Sequence, residues 1–266
     1  MKRFKVKNIL LFSLLTISLL FAGFVPTGSR APEFKLKRIV IDAGHGGKDP
    51  GTVGNISREK DVALNVALQI GKYVEELLPG VEVIYTRKTD VFLELKERSN
   101  IANRNKADLF ISIHCNAAPN KSAYGTETFV MGTKNFEANF DIVKRENSVI
   151  TLEENYEENY EGFDPKSPES YMMFNLMQKA FLSNSISLAS KVENDFVTRV
   201  NRSSRGVKQA PFYVLWTTSM PSVLIELGFL SHPSEERFLN SKDGQAYLAS
   251  AIYRSIKAYK EEIEEL

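Results

Sequence analysis

At 266 residues the chain has room for one large domain or two small ones, and 43% hydrophobic with 25% charged residues is the composition of a globular protein. A net charge of +1, with no basic stripe interleaved with aromatics, excludes a nucleic-acid groove. A single cysteine, Cys115, excludes an internal disulfide and a cysteine-based zinc site.

Lys2, Arg3, Lys5 and Lys7 precede an apolar stretch over residues 9–24, and Pro26, Gly28, Ser29 and Ala31 follow it. This order describes a secretory signal peptide within residues 1–31, with an uncleaved N-terminal anchor as the alternative. The mature domain, from about Phe34, is then expected outside the cytoplasm, periplasmic or associated with the cell wall.

The run Ile39 to Ile41 breaks into Gly44, His45, Gly46 and Gly47, and reads as a buried strand ended by a sharp turn. The spacing then predicts a helix over 57–78, with Ser57 as N-cap and Val62, Val66, Ile70, Val74 and Leu77 on its buried face. Glu59 falls in the first turn, where a carboxylate also suits the helix dipole. A strand over 81–86 and a helix over 94–105 follow. Leu109 to His114 is nearly all apolar, as a central strand is, and Thr126 to Met131 is another strand. Cys115 reads as a small buried residue at a strand end, or as a nucleophile without a separate base.

From Gly132 the alternation of strands and helices is interrupted. Residues 135–150 read as a helix with Phe136, Phe140 and Val143 on one face. Residues 151–161 are strongly acidic and read as a solvated hinge. A helix is expected from Glu169 to Val200, with Leu176, Phe181, Ile186, Leu188 and Val192 buried. The interruption, about 133–200, reads as an insertion because strands resume at Tyr213–Trp216 and Ser222–Glu226. A short helix near Glu235 and a final helix over 243–266 complete the chain. The pattern predicts a single α/β layered domain over 34–266, with a largely parallel central sheet flanked by helices.

In such sheets functional groups gather beyond the carboxyl ends of the strands. His45 follows the first strand, His114 ends a central one and Glu226 ends the last, so parallel neighbours would bring them into one crevice. Glu59 can reach the same place. Two histidines and a carboxylate with a fourth position open are the ligand set of a catalytic zinc site. A second carboxylate that is not a ligand can move a proton from water to a leaving nitrogen, a task for Glu226.

The segments Ile41-Asp-Ala-Gly-His-Gly-Gly47, Arg58-Glu-Lys-Asp61, Leu109-Phe-Ile-Ser-Ile-His-Cys-Asn-Ala117, Arg205-Gly-Val-Lys-Gln-Ala210 and Met220-Pro-Ser-Val-Leu-Ile-Glu-Leu-Gly-Phe-Leu-Ser231 resemble the zinc-dependent N-acetylmuramoyl-L-alanine amidases of the amidase_3 family. The resemblance runs in order from about Arg38 to Tyr259. It implies one Zn²⁺ per chain held by His45, Glu59 and His114, with Glu226 as the catalytic carboxylate. The implied reaction cuts the amide between N-acetylmuramic acid and L-alanine in peptidoglycan. A related zinc hydrolase cutting another wall amide is the alternative, and a non-catalytic wall-binding module is a third reading. His232 receives no role and reads as an exposed loop residue.

Division-associated members of the family look similar in the insertion. They carry a helix that blocks the site until an activator protein removes it, which implies a part in daughter-cell separation. Here the corresponding segment is 135–150. Glu146 shares the apolar face with Val143 and Phe136, and a carboxylate on a buried face needs a partner. The open zinc position is one; a basic side chain or solvent is the other. Peptidoglycan as substrate, a possible activator, no nucleic acid and a monomer complete the expectations.

Overall fold

The computed structural model of the chain describes residues 35–171 and 181–265. The expected signal segment, residues 1–31, lies outside them, as does Leu176.

Six strands form one sheet: β1 (Arg38–Ala43), β2 (Glu82–Tyr85), β3 (Leu109–Asn116), β4 (Thr126–Val130), β5 (Ser204–Gln209) and β6 (Ser222–Phe229). Their order is β2-β1-β3-β6-β4-β5. β2, β1, β3 and β6 pair in parallel, β4 is antiparallel to β6, and β4 and β5 are parallel to each other. The expected largely parallel α/β domain is therefore present.

Side-chain alternation sorts the strands into two cores. Ile39, Ile41, Ile111, Ile113, Val223 and Ile225 face α1 (Glu59–Leu77), whereas Val40, Phe110, Phe129 and Leu224 face α2 (Leu95–Arg104) and α3 (Phe136–Asn147). The first core also takes in α5 (Leu182–Val200) and α8 (Lys242–Glu265). The second takes in α6 (Tyr213–Trp216). Two short helices complete the set, α4 (Tyr156–Asn159) and α7 (Pro233–Leu239). None of the helices among the described residues is long and apolar enough to cross a membrane.

Several local expectations differ. Tyr213–Trp216 is a helical turn, not a strand; a four-residue apolar run fits either. The edge strand β5 was not expected, because Ser204-Arg-Gly-Val-Lys-Gln209 has no apolar alternation. α1 begins at Glu59 with Arg58 as N-cap, while the Ser57 backbone N–H and hydroxyl both donate to Glu236. Of the helix expected over 169–200, Leu182–Val200 is present, 169–171 is a 3-10 turn, and residues 172–180 lie outside the described residues. Leu77 and Ile186 are exposed.

α5 buries Leu188, Ala189, Val192 and Phe196 in the first core. Of the interrupting region, the described part on the other face of the sheet is thus α3, a 3-10 turn (Ser148–Leu152), α4 and the chain to Tyr171.

Candidate metal centre and active site

The parallel register sets the geometry. β1 and β3 pair Asp42 with Ser112, and β3 and β6 pair His114 with Glu226. Their even-numbered positions face the second core, so Asp42, Ser112, His114 and Glu226 share one face. β1 ends in a turn whose His45 has φ 60°, a left-handed conformation that costs a non-glycine residue about 1–2 kcal/mol. Gly44 precedes it because a Cβ there would lie 2.5 Å from His114 Nε2.

His45, Glu59, His114 and Glu146 converge: each offers one ligand atom, all within 4.8 Å of one another, and all four residues are buried. His45 Nε2 stands 3.0 Å from Glu59 Oε1 and 3.2 Å from Glu146 Oε2. His114 Nδ1 stands 3.0 Å from the same Glu59 oxygen and 3.1 Å from the same Glu146 oxygen. His45 Nε2 and Glu146 Oε2 have no hydrogen-bond partner in good alignment. Buried polar atoms left without partners are costly, and two imidazole nitrogens with carboxylate oxygens around one point suit a divalent metal such as zinc. The residues fit the ion that the resemblance implies.

Neighbouring groups orient this set, as they do around metal ligands generally. Asp49 Oδ2 is 2.7 Å from His45 Nδ1, which turns Nε2 inward. Glu59 accepts from the Thr52 and Cys115 backbone N–H groups. Burial opposes charge on both rings, but Glu59, Asp49 and Glu146 hold His45 protonated well above the ordinary imidazole value. Against the same burial, Glu146 and Glu59 raise His114 to about 9. Glu226 lies beside the set, fully buried, with neither oxygen hydrogen-bonded among the described residues. Burial, then the charges of Glu146 and Glu59, push its carboxyl well above the usual range.

A profile of the N-acetylmuramoyl-L-alanine amidases, Amidase_3, matches residues 39–258. The chain belongs to this family. It is 32% identical over 225 residues to N-acetylmuramoyl-L-alanine amidase AmiA of Escherichia coli (strain K12), covering 83% of this chain and 75% of that protein. The N-acetylmuramoyl-L-alanine amidase from Clostridium difficile 630 matches with a TM-score of 0.64 at 28% identity, over 85% of this chain and 97% of that one. The CwlD amidase from Clostridioides difficile, solved in complex with the GerS lipoprotein, matches with a TM-score of 0.58 at 27% identity, over 84% and 98%. The protein is thus an N-acetylmuramoyl-L-alanine amidase, a peptidoglycan hydrolase.

The amidase brings all five sequence-predicted residues, His45, Glu59, His114, Glu146 and Glu226, to one place. His232 is not a free loop residue: it caps α7, its Nδ1 accepting from the Glu235 N–H at 3.4 Å. The acidic stretch is not wholly solvated either. Glu153 is buried and accepts from the Leu95 N–H and the Tyr160 hydroxyl, so it caps α2.

Two arginines escaped sequence reasoning. Arg98 is buried and donates to Asp42 (2.8 Å), Ala43 O (2.7 Å) and His45 O (2.8 Å). Arg87, also buried, donates through Nη2 to both Gly44 O (2.7 Å) and Lys60 O (2.8 Å). One guanidinium therefore joins the residue before His45 to the residue after Glu59. Neither an arginine in a loop, as Arg87 is, nor one within helical spacing, as Arg98 is, gives a signal of this, because arginines are usually solvated.

Proposed function

We propose that the protein is an exported, zinc-dependent amidase that cuts the bond between N-acetylmuramic acid and L-alanine and is held silent by its own helix α3. His45, Glu59 and His114 would hold zinc, and Glu226 is the catalytic carboxylate. The observation that carries the self-blocking is the position of Glu146 Oε2, 3.2 Å from His45 and 3.1 Å from His114. A side chain of the protein itself would then lie where water and the scissile carbonyl have to meet.

When bound, zinc lowers the pKa of water to about 7 and polarises the substrate carbonyl. Glu226 accepts a proton from the attacking water and returns it to the nitrogen as the C–N bond breaks, so the lactyl group leaves as a carboxylate and the peptide with a free L-alanine amine. Its burial beside other carboxylates favours a carboxyl basic enough for both steps.

α3 obstructs both halves of this machinery. Arg145 donates to Glu146 Oε1, Ala117 O and Asn116 Oδ1, and its Nη2 stands 3.9 Å from Glu226. Activity then requires the segment to swing away, and a partner protein that captures it is the natural trigger. The CwlD amidase, a structural relative, is itself found assembled with another protein. This control suits wall cutting confined to daughter-cell separation, and the basic-then-apolar residues 1–31 support export.

Glu146→Gln should raise the basal hydrolysis of purified peptidoglycan about tenfold or more, with new L-alanine amino termini as product; unchanged basal activity sinks the blocking role. Adding Glu226→Gln should then remove about 10²–10⁴-fold of that rate; a smaller loss assigns the proton transfers elsewhere.

A further inference from the structure

The segment Arg205-Gly-Val-Lys-Gln-Ala210 has no part in the chemistry above, yet all of it but Ala210 lies in β5, on the same sheet as Glu226. Thr126 pairs with Ser204 and Thr128 with Val207, so β5 has one residue more than β4 across this stretch. Gly206, at φ 84°, absorbs the extra residue. Such a bulge re-aims side chains. Here it turns Arg205 and Lys208, three apart in sequence, onto one face, where both meet Glu127 Oε1, Lys208 Nζ at 2.9 Å. Glu127 is the register partner of Glu226 on the adjoining strand, so this is the face that carries the site.

We propose that Arg205 and Lys208 form a subsite for a carboxylate on the stem peptide of the substrate, a reading that rests on the amidase function above. Two cations share one buried carboxylate, which leaves one positive charge in excess. Arg205 spends Nε on Glu127, and its side chain is 43% exposed. Its terminal nitrogens lie in one plane as a fork suited to a carboxylate. The Phe229 ring, 5.2 Å away, backs that plane. Lys208 is 28% exposed. Both line a groove of about 550 Å³ with Lys134 and Gln209. Cations that merely guard a sheet edge need neither a buried carboxylate nor an aromatic ring to hold them.

Distance selects the part of the substrate. β5 lies two strands from β6, about 10 Å at the usual spacing, and an extended peptide advances about 3.4 Å per residue. A carboxylate reaching the fork from an amide beside Glu226 therefore belongs to the second or third residue of the stem. The subsite selects acidic over amidated stems.

The test uses a muramoyl tripeptide bearing a free carboxylate on its second or third residue, and its carboxamide twin. Binding is measured by calorimetry to the full chain carrying Glu226→Gln and Glu146→Gln. The acidic form should bind about tenfold tighter, and Arg205→Gln or Lys208→Gln should bring that ratio near one. Arg205→Lys, which keeps the partner of Glu127 and so guards against misfolding, should lose part of the ratio. Equal binding of the twins, or a ratio that survives both glutamine variants, overturns the proposal. Cleavage of the same pair by the Glu146→Gln chain is read separately: failure to cut either sinks the amidase reading, while binding still decides the subsite.

Discussion

The turn carrying His45 and the segment carrying Glu146 supply ligand atoms to the same point, yet they are attached in opposite ways. The turn is gripped through its backbone: the carbonyls of Ala43, Gly44 and His45 accept from the buried Arg87 and Arg98. The segment over residues 136–171 is attached mainly through its own side chains, and among the described residues only the exposed Lys48 and Lys96 reach its backbone, at Leu152 O and Asn159 O. Asn147 bonds Pro211 O and the Tyr213 N–H, Glu153 caps α2, and Tyr160, Phe163 and Tyr171 lie in the second core. Backbone carbonyls under buried charge cannot move without breaking the sheet beneath them. Side chains resting on a surface can leave and return together. If α3 blocks the site as proposed, the contrast separates a fixed half of the site from a removable one.

The largest effect should come from the fixed half. Arg98→Met leaves Asp42 buried with its carboxylate unpaired. Burial works against that charge, and Arg98, with Ser112 and Thr86, now keeps its pKa low. Breaking a buried pair from one side costs about 3–5 kcal/mol. Urea denaturation should show a loss of this size, and a loss under 1 kcal/mol would mean that the grip on the turn is not structural.

A second effect tests how the two halves share the metal position. Without a metal, the surrounding carboxylates keep both histidines protonated to higher pH than usual, His114 with a pKa of about 9. A metal takes the neutral ring, so binding must release those protons. Affinity for zinc should therefore rise with pH by about tenfold per unit for each proton released, and the share from His114 should level off above about pH 9. Calorimetry in buffers of different ionisation enthalpy counts the protons. Glu146→Gln removes one carboxylate that holds the charge on the rings, so its slope near neutral pH should be shallower. An identical slope would place Glu146 away from the rings.

How much of this was legible in the sequence follows from the same division. Buried parallel strands are continuous apolar runs, so β1, β3 and β6 stood out, and the glycine turn marked His45. Glu146 was legible from helical spacing, three residues beyond Val143. Strand order was not: that His114 and Glu226 are register partners depends on β6 entering between β3 and β4, residues more than a hundred positions apart in the chain. β5 was hidden because its bulge breaks the period of two and none of its residues is fully buried. Arg87, Arg98 and Glu153 were hidden because their partners include backbone groups of distant elements, and a charged side chain in a loop, a helix or an acidic run reads as solvated until that partner is placed.

Glu153 supplies the smallest and most discriminating prediction. Its carboxylate accepts from the Leu95 N–H at 2.8 Å, an orphan donor at the start of α2, and from the Tyr160 hydroxyl. Loss of a helix cap costs about 1 kcal/mol, about fivefold in an equilibrium constant. If the segment leaves as a unit, Glu153→Ala should weaken only its docked state. Basal hydrolysis should rise up to about fivefold, less than for Glu146→Gln, because Glu146 would still fill the zinc position whenever the segment is docked. The unfolding midpoint of the sheet should scarcely move. A lower midpoint with unchanged basal hydrolysis would mean that 136–171 unfolds only with the rest of the domain. The side-chain attachment of this region would then be no more removable than the arginine grip on the turn.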